Sequence, residues 1–303
     1  MKMDKYILAV DQSTSGTKAV LINRGGHVIH RCTREHHQYY PQAGWVEHDP
    51  EEIYAHTLSV IHCLLKETQT KQEQLESLAI TNQRETIVVW DKSTGKPIYN
   101  AIVWQCQRNA AICRELREKG YENTIREKTG LVLSPYFSAA KARWIIDNIP
   151  EAQEKAKKGQ LLLGTIDSWL LWKLTGGKVH ATDYSNASRT QLFNIKELKW
   201  DEELLELFKI PSSMLPEVRS SNEIFGYTAL SEGFTRKIPI SGLIGDSHAA
   251  LFGQNCFLSG MAKATYGTGS SIMMNIGKQC LAAKDGLAFK DPIKMIYVVI
   301  ANI

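Results

Sequence analysis

The chain has 303 residues, 43% of them apolar and 22% charged, with a formal net charge of +4. At roughly 150 residues per domain that is enough for about two domains, and no low-complexity tract interrupts it. Its lysines and arginines are interspersed with acids, which excludes a nucleic-acid binder and suits, at most, an anionic ligand. The six cysteines (Cys32, Cys63, Cys106, Cys113, Cys256, Cys280) are scattered and form no C-x-x-C pair. Neither a zinc site nor a disulfide scaffold is therefore expected. The first residues run directly into a strand-like segment, so no signal peptide is expected, and no apolar run approaches the ~20 residues that span a bilayer. No membrane association is expected, and a reducing cytoplasm is the simplest location.

Tyr6 to Val10 and Lys18 to Ile22 read as strands joined by a loop of small polar residues, a β-hairpin with a functional turn. Arg24-Gly25-Gly26 turns the chain into a third strand beginning at His27 to Arg31. Asp49-Pro50-Glu51-Glu52 is a helix start: a cap, a proline at the first helical position, and two acids at the positive end of the dipole. Ile53, Val60, Ile61, Leu64 and Leu65 continue at helical spacing. Leu75 to Ile80 and Thr86 to Trp90 are further strands, the second closed by Asp91 to Gly95. Strands followed by a helix and another strand are an α/β signature. Arg108 to Lys119, Ala139 to Ile149, Leu161 to Thr175 (stopped by Gly176-Gly177) and Trp200 to Leu207 read as helices. Ile238 to Ile244 is a strand ending at Gly245-Asp246, and Ser247 to Gln254 a helix. Met261 to Tyr266 and Ser271 to Ile276 make a second hairpin. A domain boundary is expected near residues 245–258, with 1–250 as the first domain and 251–303 as the start of a second, too short for its own core.

Four segments carry chemistry. In Asp11-Gln12-Ser13-Thr14-Ser15-Gly16-Thr17 the small residues let backbone N–H groups and hydroxyls crowd a phosphate. Lys18 adds charge. Asp11, at a strand end, offers Mg²⁺ a ligand directly or through water. The plain alternative is a polar hairpin turn. Gly267-Thr268-Gly269-Ser270 has the same hairpin setting and the same content. Two such loops would face each other across a cleft and clamp a nucleotide's phosphates. Arg84-Glu85 is either an exposed ion pair of little energetic value or, inside a cleft, a fork donor beside an acceptor for hydroxyls. Trp104 would give a polyol an apolar wall, unless it is core. Asp246 follows an apolar strand and a glycine and precedes a helix, where α/β ligand sites form. It is placed to act as a general base, which must come within ~3 Å of the attacking hydroxyl, although a helix N-cap would explain an aspartate equally. His248 has no relay spacing to Asp246 and stands as a substrate-side candidate. His36-His37 lack metal-ligand partners at sensible spacing and are expected on the surface. The combination points to phosphoryl transfer onto an alcohol.

In this order the segments resemble the FGGY family of carbohydrate kinases, and within it the glycerol kinase branch. The resemblance runs from about Tyr6 to Gly277. It includes Gly44 to Pro50, Thr81 to Thr86, Gly95 to Gln105, Ser134 to Ser138, Thr182 to Thr190, Leu215 to Arg219 and Ala249 to Gln254. It implies an α/β, actin-like ATPase fold, two ribonuclease-H-like domains with the site in the cleft between them. It also implies ATP- and Mg²⁺-dependent phosphorylation of a terminal hydroxyl of glycerol or a related polyol or sugar, and a homo-oligomer at full length. By motif position Arg84, Glu85, Trp104, Tyr136, Ser247 and Asp246 would serve the polyol, with Asp246 as base. Asp11 would serve the metal, and Thr14, Ser15, Lys18, Gly267, Thr268 and Gly269 the phosphates. Such a division suits a reaction that is mostly positioning and charge neutralisation.

The chain departs from the family at three places. Ser13 stands where glycerol kinases carry a glycine, so its Cβ would crowd the phosphates or its hydroxyl would join them. Asp246-Ser247-His248 and Ser271 stand where the family has D-Q-Q and an aromatic, which enlarges and polarises the substrate wall and admits a substrate longer than glycerol. The family's later glycine-rich segments for adenosine are absent, and Phe289 to Ile303 fits the family poorly. A fragment or a prematurely ended reading frame is expected, which makes a weak or inactive kinase that still binds polyol the alternative. A chaperone or filament protein of actin-like fold would share the phosphate loops without needing Arg84-Glu85, Trp104 and Asp246.

Overall fold

The computed structural model describes residues 4–266 and 271–277, and the backbone of 287–290 and 297–300. β1 (Tyr6–Gln12), β2 (Gly16–Asn23) and β3 (Val28–Glu35) form the expected antiparallel start. After β4 (Glu47–His48), α1 (Pro50–Glu67) begins as its sequence dictates. The Asp49 side chain accepts from the Glu51 N–H at 2.8 Å, satisfying one of the helix's orphan donors. Ile53, Val60, Ile61 and Leu64 are fully buried. β5 (Leu75–Asn82), β6 (Ile87–Asp91) and β7 (Ala101–Ile102) follow, then α2 (Ala110–Glu118), α3 (Glu122–Thr129), α4 (Ser138–Asn148) and α5 (Ala152–Lys157).

Leu161 to Thr175 is not one helix. Its first five residues are β8 (Leu161–Thr165), antiparallel to β6 and buried throughout, and α6 (Ile166–Leu174) starts only there. A continuous apolar run has no periodicity to separate a buried strand from a buried helix. β9 (Ala181–Asp183), α7 (Tyr184–Ala187), β10 (Phe193–Asn194) and β11 (Lys199–Trp200) come next. Trp200 thus belongs to a strand. α8 (Glu202–Leu207) begins after it because Asp201 caps it, accepting from the Leu204 N–H at 3.1 Å. The chain continues through β12 (Glu217–Arg219), β13 (Gly226–Tyr227), β14 (Pro239–Gly245), α9 (Asp246–Gly253) and the expected hairpin of β15 (Ala262–Thr265) with β16 (Ser271–Met274). β17 (Leu287–Lys290) pairs with β18 (Tyr297–Ile300).

The six-stranded sheet has the order β13-β14-β5-β1-β2-β3. Within it β14, β5 and β1 run parallel, with Gln12 opposite Asn82 and Asn82 opposite Gly245. A second sheet has the order β4-β7-β6-β8. Leu8, Val10, Leu78, Ile80 and Leu243 of the large sheet share a core with Ile53 and Leu64 of α1 and Trp169 and Leu170 of α6. Val89, Ile102 and Leu163 of the small sheet share another with Ala142 and Ile145 of α4. Each such valine, leucine or isoleucine contributes roughly 1.5–3 kcal/mol by burial. The consequence for function is positional. Three parallel strands end level with one another, so the loops after β1, β5 and β14 are delivered to the same edge.

Candidate functional site

The loop after β5 carries Gln83, Arg84 and Glu85, and the first turn of α9, directly after β14, carries Asp246, Ser247 and His248. Arg84 crosses between them. Its Nε donates to Asp246 Oδ1 at 2.8 Å and its Nη2 to Ser247 Oγ at 2.9 Å. Nη1 is buried and, among the described residues, has no hydrogen-bond partner. Burial alone would lower the guanidinium's pKa, but the charges of Glu85 and Asp246 outweigh it and hold the pKa above its ordinary value. The crossing depends on Gly245, whose absent Cβ would lie 2.5 Å from Arg84 Cδ. Asp246 is not the N-cap of α9. Gly245 is, and Asp246 is the first helical residue, its Oδ1 also accepting from the Ser247 N–H at 2.6 Å. Its side chain is 44% exposed, the open flank of an otherwise buried group.

Glu85 is no exposed ion pair. It is buried, has a left-handed backbone (φ 63°), and its carboxylate accepts from Arg189 Nε. A non-glycine residue in that region costs about 1–3 kcal/mol unless its surroundings hold it. Here the Ser138 hydroxyl donates to its carbonyl at 3.1 Å. Arg189 also lies 5.7 Å from the Tyr136 ring, and Tyr136 meets Trp104 edge-on at 5.5 Å. Burial, reinforced by Glu85, pushes the Tyr136 phenol up to about 12, so it remains a hydroxyl.

The loop after β1 is held from three sides. The Ser13 hydroxyl donates to the Gly16 carbonyl at 3.0 Å. The serine that replaces the family's glycine is therefore used to close the turn. Gly16 itself admits no side chain, because a Cβ would stand 2.5 Å from the Arg34 carbonyl oxygen of β3. Trp104 Nε1 donates to Thr14 Oγ1 at 2.9 Å, and His36 Nε2 meets the Thr14 carbonyl at 2.9 Å. His36 is thus buried, a correction to its expected place on the surface, because that carbonyl and the edge of His48 give its ring a packed setting. His37 is exposed. Asp11 lies 3.6 Å from Lys18, its cross-strand neighbour in the hairpin. Burial raises the Asp11 pKa, Lys18 opposes the rise and Asp246 adds to it.

Arg84, Glu85, Trp104, Tyr136, Asp246 and Ser247 are brought together, and Asp11, Thr14, Ser15 and Lys18 line the neighbouring hairpin. Gly267, Thr268 and Gly269 lie outside the described residues. Sequence reasoning missed two supporting residues. Arg189 holds Glu85 from 104 positions away. Lys141, fully buried, donates to the carbonyls of Pro135, Tyr136 and Phe137 and fixes the turn that presents Tyr136. Burial pulls its pKa down to about 7, against the charge of Glu85. His248, the substrate-side candidate, is buried with both ring nitrogens unpartnered among the described residues. Burial first, then Arg84 and Arg189, lower its pKa well below normal, so the ring is neutral.

The N-terminal-domain model of the FGGY family of carbohydrate kinases matches residues 6–253. Glycerol kinase 1 of Thermotoga maritima is 59% identical over 275 residues, 90% of this chain and 56% of that protein. The glycerol kinase of Bacillus cytotoxicus is 55% identical over 285 residues, 94% of this chain and 58% of its own length. The chain therefore spans little more than half the length of these curated relatives. The crystal structure of Plasmodium falciparum glycerol kinase with ADP superposes with a TM-score of 0.94 at 37% identity, covering 99% of this chain and 61% of that one. A ligand-bound xylulose kinase from Lactobacillus acidophilus shares the fold alone, at a TM-score of 0.87 and 22% identity over 97% of this chain and 59% of its own. The mixed α/β fold is that of the actin-like, ribonuclease-H-like sugar kinases, and the chain belongs to the FGGY family of carbohydrate kinases.

Proposed function

We propose that this chain carries the alcohol site and the first phosphate loop of a kinase that moves the terminal phosphoryl group of ATP onto a terminal hydroxyl of glycerol or a related polyol. The observation that carries the reading is the Arg84–Asp246 bond at 2.8 Å, which sets a fork donor and a carboxylate side by side at the strand ends. The unpartnered Nη1 of Arg84 is a donor for a polyol oxygen, and Glu85, oriented by Arg189, is an acceptor for a second hydroxyl. Trp104 and Tyr136 supply the apolar wall. Asp246 takes the proton of the attacking hydroxyl while the new O–P bond forms and the bond to the departing ADP oxygen breaks.

On the donor side Thr14, Ser15 and Lys18 face the phosphates, and Gly267, Thr268 and Gly269 are assigned to the same task from sequence. Asp11 fits Mg²⁺. A carboxylate whose pKa is raised by burial and by a second carboxylate is relieved by a cation, and Mg²⁺ needs few protein ligands because it keeps its waters. When bound, the ion neutralises charge on the transferring phosphate. Glycerol is the first acceptor to test, because relatives at 55% and 59% identity carry that name and because the Ser247 hydroxyl is already engaged by Arg84. Free cysteines at Cys32, Cys63, Cys106, Cys113 and Cys256 suit a reducing cytoplasm.

The test is a coupled ADP-release assay across glycerol, erythritol, xylulose and ribulose, with polyol binding followed by calorimetry. Turnover with the highest kcat/KM on glycerol is expected, and Asp246→Asn should abolish it while sparing polyol binding. Near-normal turnover in that variant removes Asp246 as the base. Polyol binding without ADP release from any acceptor would replace the kinase reading with that of a non-catalytic binding protein.

A further inference from the structure

We propose that His30, Cys32, Cys63 and Glu67 form a binding site for a borderline-soft divalent cation, with Zn²⁺ the natural occupant, between β3 and the C-terminal half of α1. His30 and Cys32 are two residues apart on a strand and so share its face. Cys63 and Glu67 are four apart on a helix and so share a side. α1 packs on β2 and β3, which closes the two pairs onto each other. His30 Nε2, Cys32 Sγ and a Glu67 carboxylate oxygen lie within 4.8 Å of one another. Cys63 Sγ is 3.1 Å from Cys32 Sγ and 3.3 Å from Glu67 Oε1. His30 Nε2 is 2.7 Å and Cys32 Sγ 3.5 Å from Glu67 Oε2.

Four of those separations, 2.7–3.5 Å, approach tetrahedral edges; His30, Cys32 and Glu67 are the mutually close trio, and Cys63, which touches Cys32 and Glu67, would join them by turning toward His30. With metal–ligand bonds of roughly 2.0–2.3 Å, adjacent donors stand about 3.3–3.8 Å apart, so small side-chain shifts admit the ion. The donor set selects it. Two sulfurs and an imidazole favour Zn²⁺ or Co²⁺ over the hard Mg²⁺ that suits Asp11. Access is open, since the His30 and Glu67 side chains are 42% and 52% exposed while Cys32 is buried. The place is separate from the phosphate loop. His30 pairs with Leu21, towards the β2–β3 turn, whereas the loop end of β2 pairs with Glu35. β3 is the last strand of its sheet, so the ion would pin an edge strand to the helix that covers it. The cysteine spacing gives no hint of this, because the two sulfurs are 31 positions apart.

The experiment is a Co²⁺ titration of the reduced chain with excess Mg²⁺ present, read by visible absorption and by melting temperature. One equivalent of Co²⁺ should give a thiolate-to-cobalt charge-transfer band with tetrahedral ligand-field bands, raise the melting temperature, and be displaced by Zn²⁺. Cys32→Ser should remove the charge-transfer band or strongly weaken it. His30→Asn and Glu67→Gln, both at solvent-exposed positions that tolerate exchange, should each weaken Co²⁺ binding about tenfold or more, since even outer-shell partners are worth ~10–100-fold. These two decide the matter if the cysteine variant fails to fold. An unchanged band in the Cys32→Ser/Cys63→Ser double variant overturns the site. So does a reduced wild-type chain that ignores cobalt, including one in which non-reducing mass mapping finds Cys32 and Cys63 joined as a disulfide after exposure to air.

Discussion

Trp104 Nε1 donates to Thr14 Oγ1 at 2.9 Å, so the aromatic wall of the proposed alcohol site hangs from the proposed phosphate loop. A hydrogen bond of this kind contributes about 1 kcal/mol, or roughly fivefold in an equilibrium constant. Trp104→Phe keeps most of the wall and removes only the donor. In steady-state kinetics KM for ATP should rise about that much, with little change in melting temperature. An unchanged nucleotide KM would mean that the loop needs no support from the wall.

The position of Arg84 depends on a missing methyl group. Gly245 has φ −61°, which any residue adopts, so alanine there meets no backbone penalty and acts only through its Cβ, 2.5 Å from Arg84 Cδ and 2.7 Å from Cγ. Overpacking of this sort costs about 1–3 kcal/mol. Gly245→Ala should lower stability by that amount in urea titrations and raise the polyol dissociation constant at least severalfold. Lost stability with unchanged polyol affinity would separate Arg84 from the polyol.

Glu85 is buried, and its carboxylate is satisfied by Arg189. Removing one member of a buried pair strands the other and costs about 3–5 kcal/mol, whereas replacing both by apolar groups costs far less. Arg189→Ala should therefore destabilise by about that amount, and Arg189→Met with Glu85→Leu should recover much of the loss in chemical denaturation. The double variant should not recover polyol binding, because the acceptor is gone. If the double variant is no more stable than Arg189→Ala, the pair is not what holds the loop.

The residues legible in the sequence share one property. Asp11, Arg84 and Asp246 each stand at or just beyond the end of an apolar strand, and register does the rest, since Gln12, Asn82 and Gly245 lie side by side. Local pattern also placed α1, through Asp49 and Pro50. Arg189 and Lys141 were not legible. Each is an ordinary cation in sequence, and only tertiary burial beneath Glu85 or a turn of three carbonyls gives it a task. Leu161 to Thr165 was misread because a strand buried on both faces loses the alternation that would mark it. His30 with Glu67, and Cys32 with Cys63, meet only because α1 folds back over β3.

Asp167 gives a pH dependence independent of catalysis. It is fully buried in the first turn of α6, accepting from the hydroxyls of Thr165 and, at 2.7 Å, Thr182. Burial first and the neighbouring Asp183 second raise its pKa from 3.8 to about 7, against the lowering effect of those hydroxyls. Below the unfolded pKa the acid is protonated in both states and costs nothing. As pH rises from about 4 to about 7 the unfolded chain releases the proton while the native chain keeps it, so native stability falls, and above about 7 the loss is complete. Asp167→Asn removes the titration while keeping the shape, and the threonine hydroxyls can turn to meet the new amide. Urea midpoints at pH 4.5 and pH 7.5 (each about half a unit above one end of the window) should therefore show the variant gaining on the parent as pH rises. A difference that stays constant between the two pH values would place the Asp167 proton elsewhere.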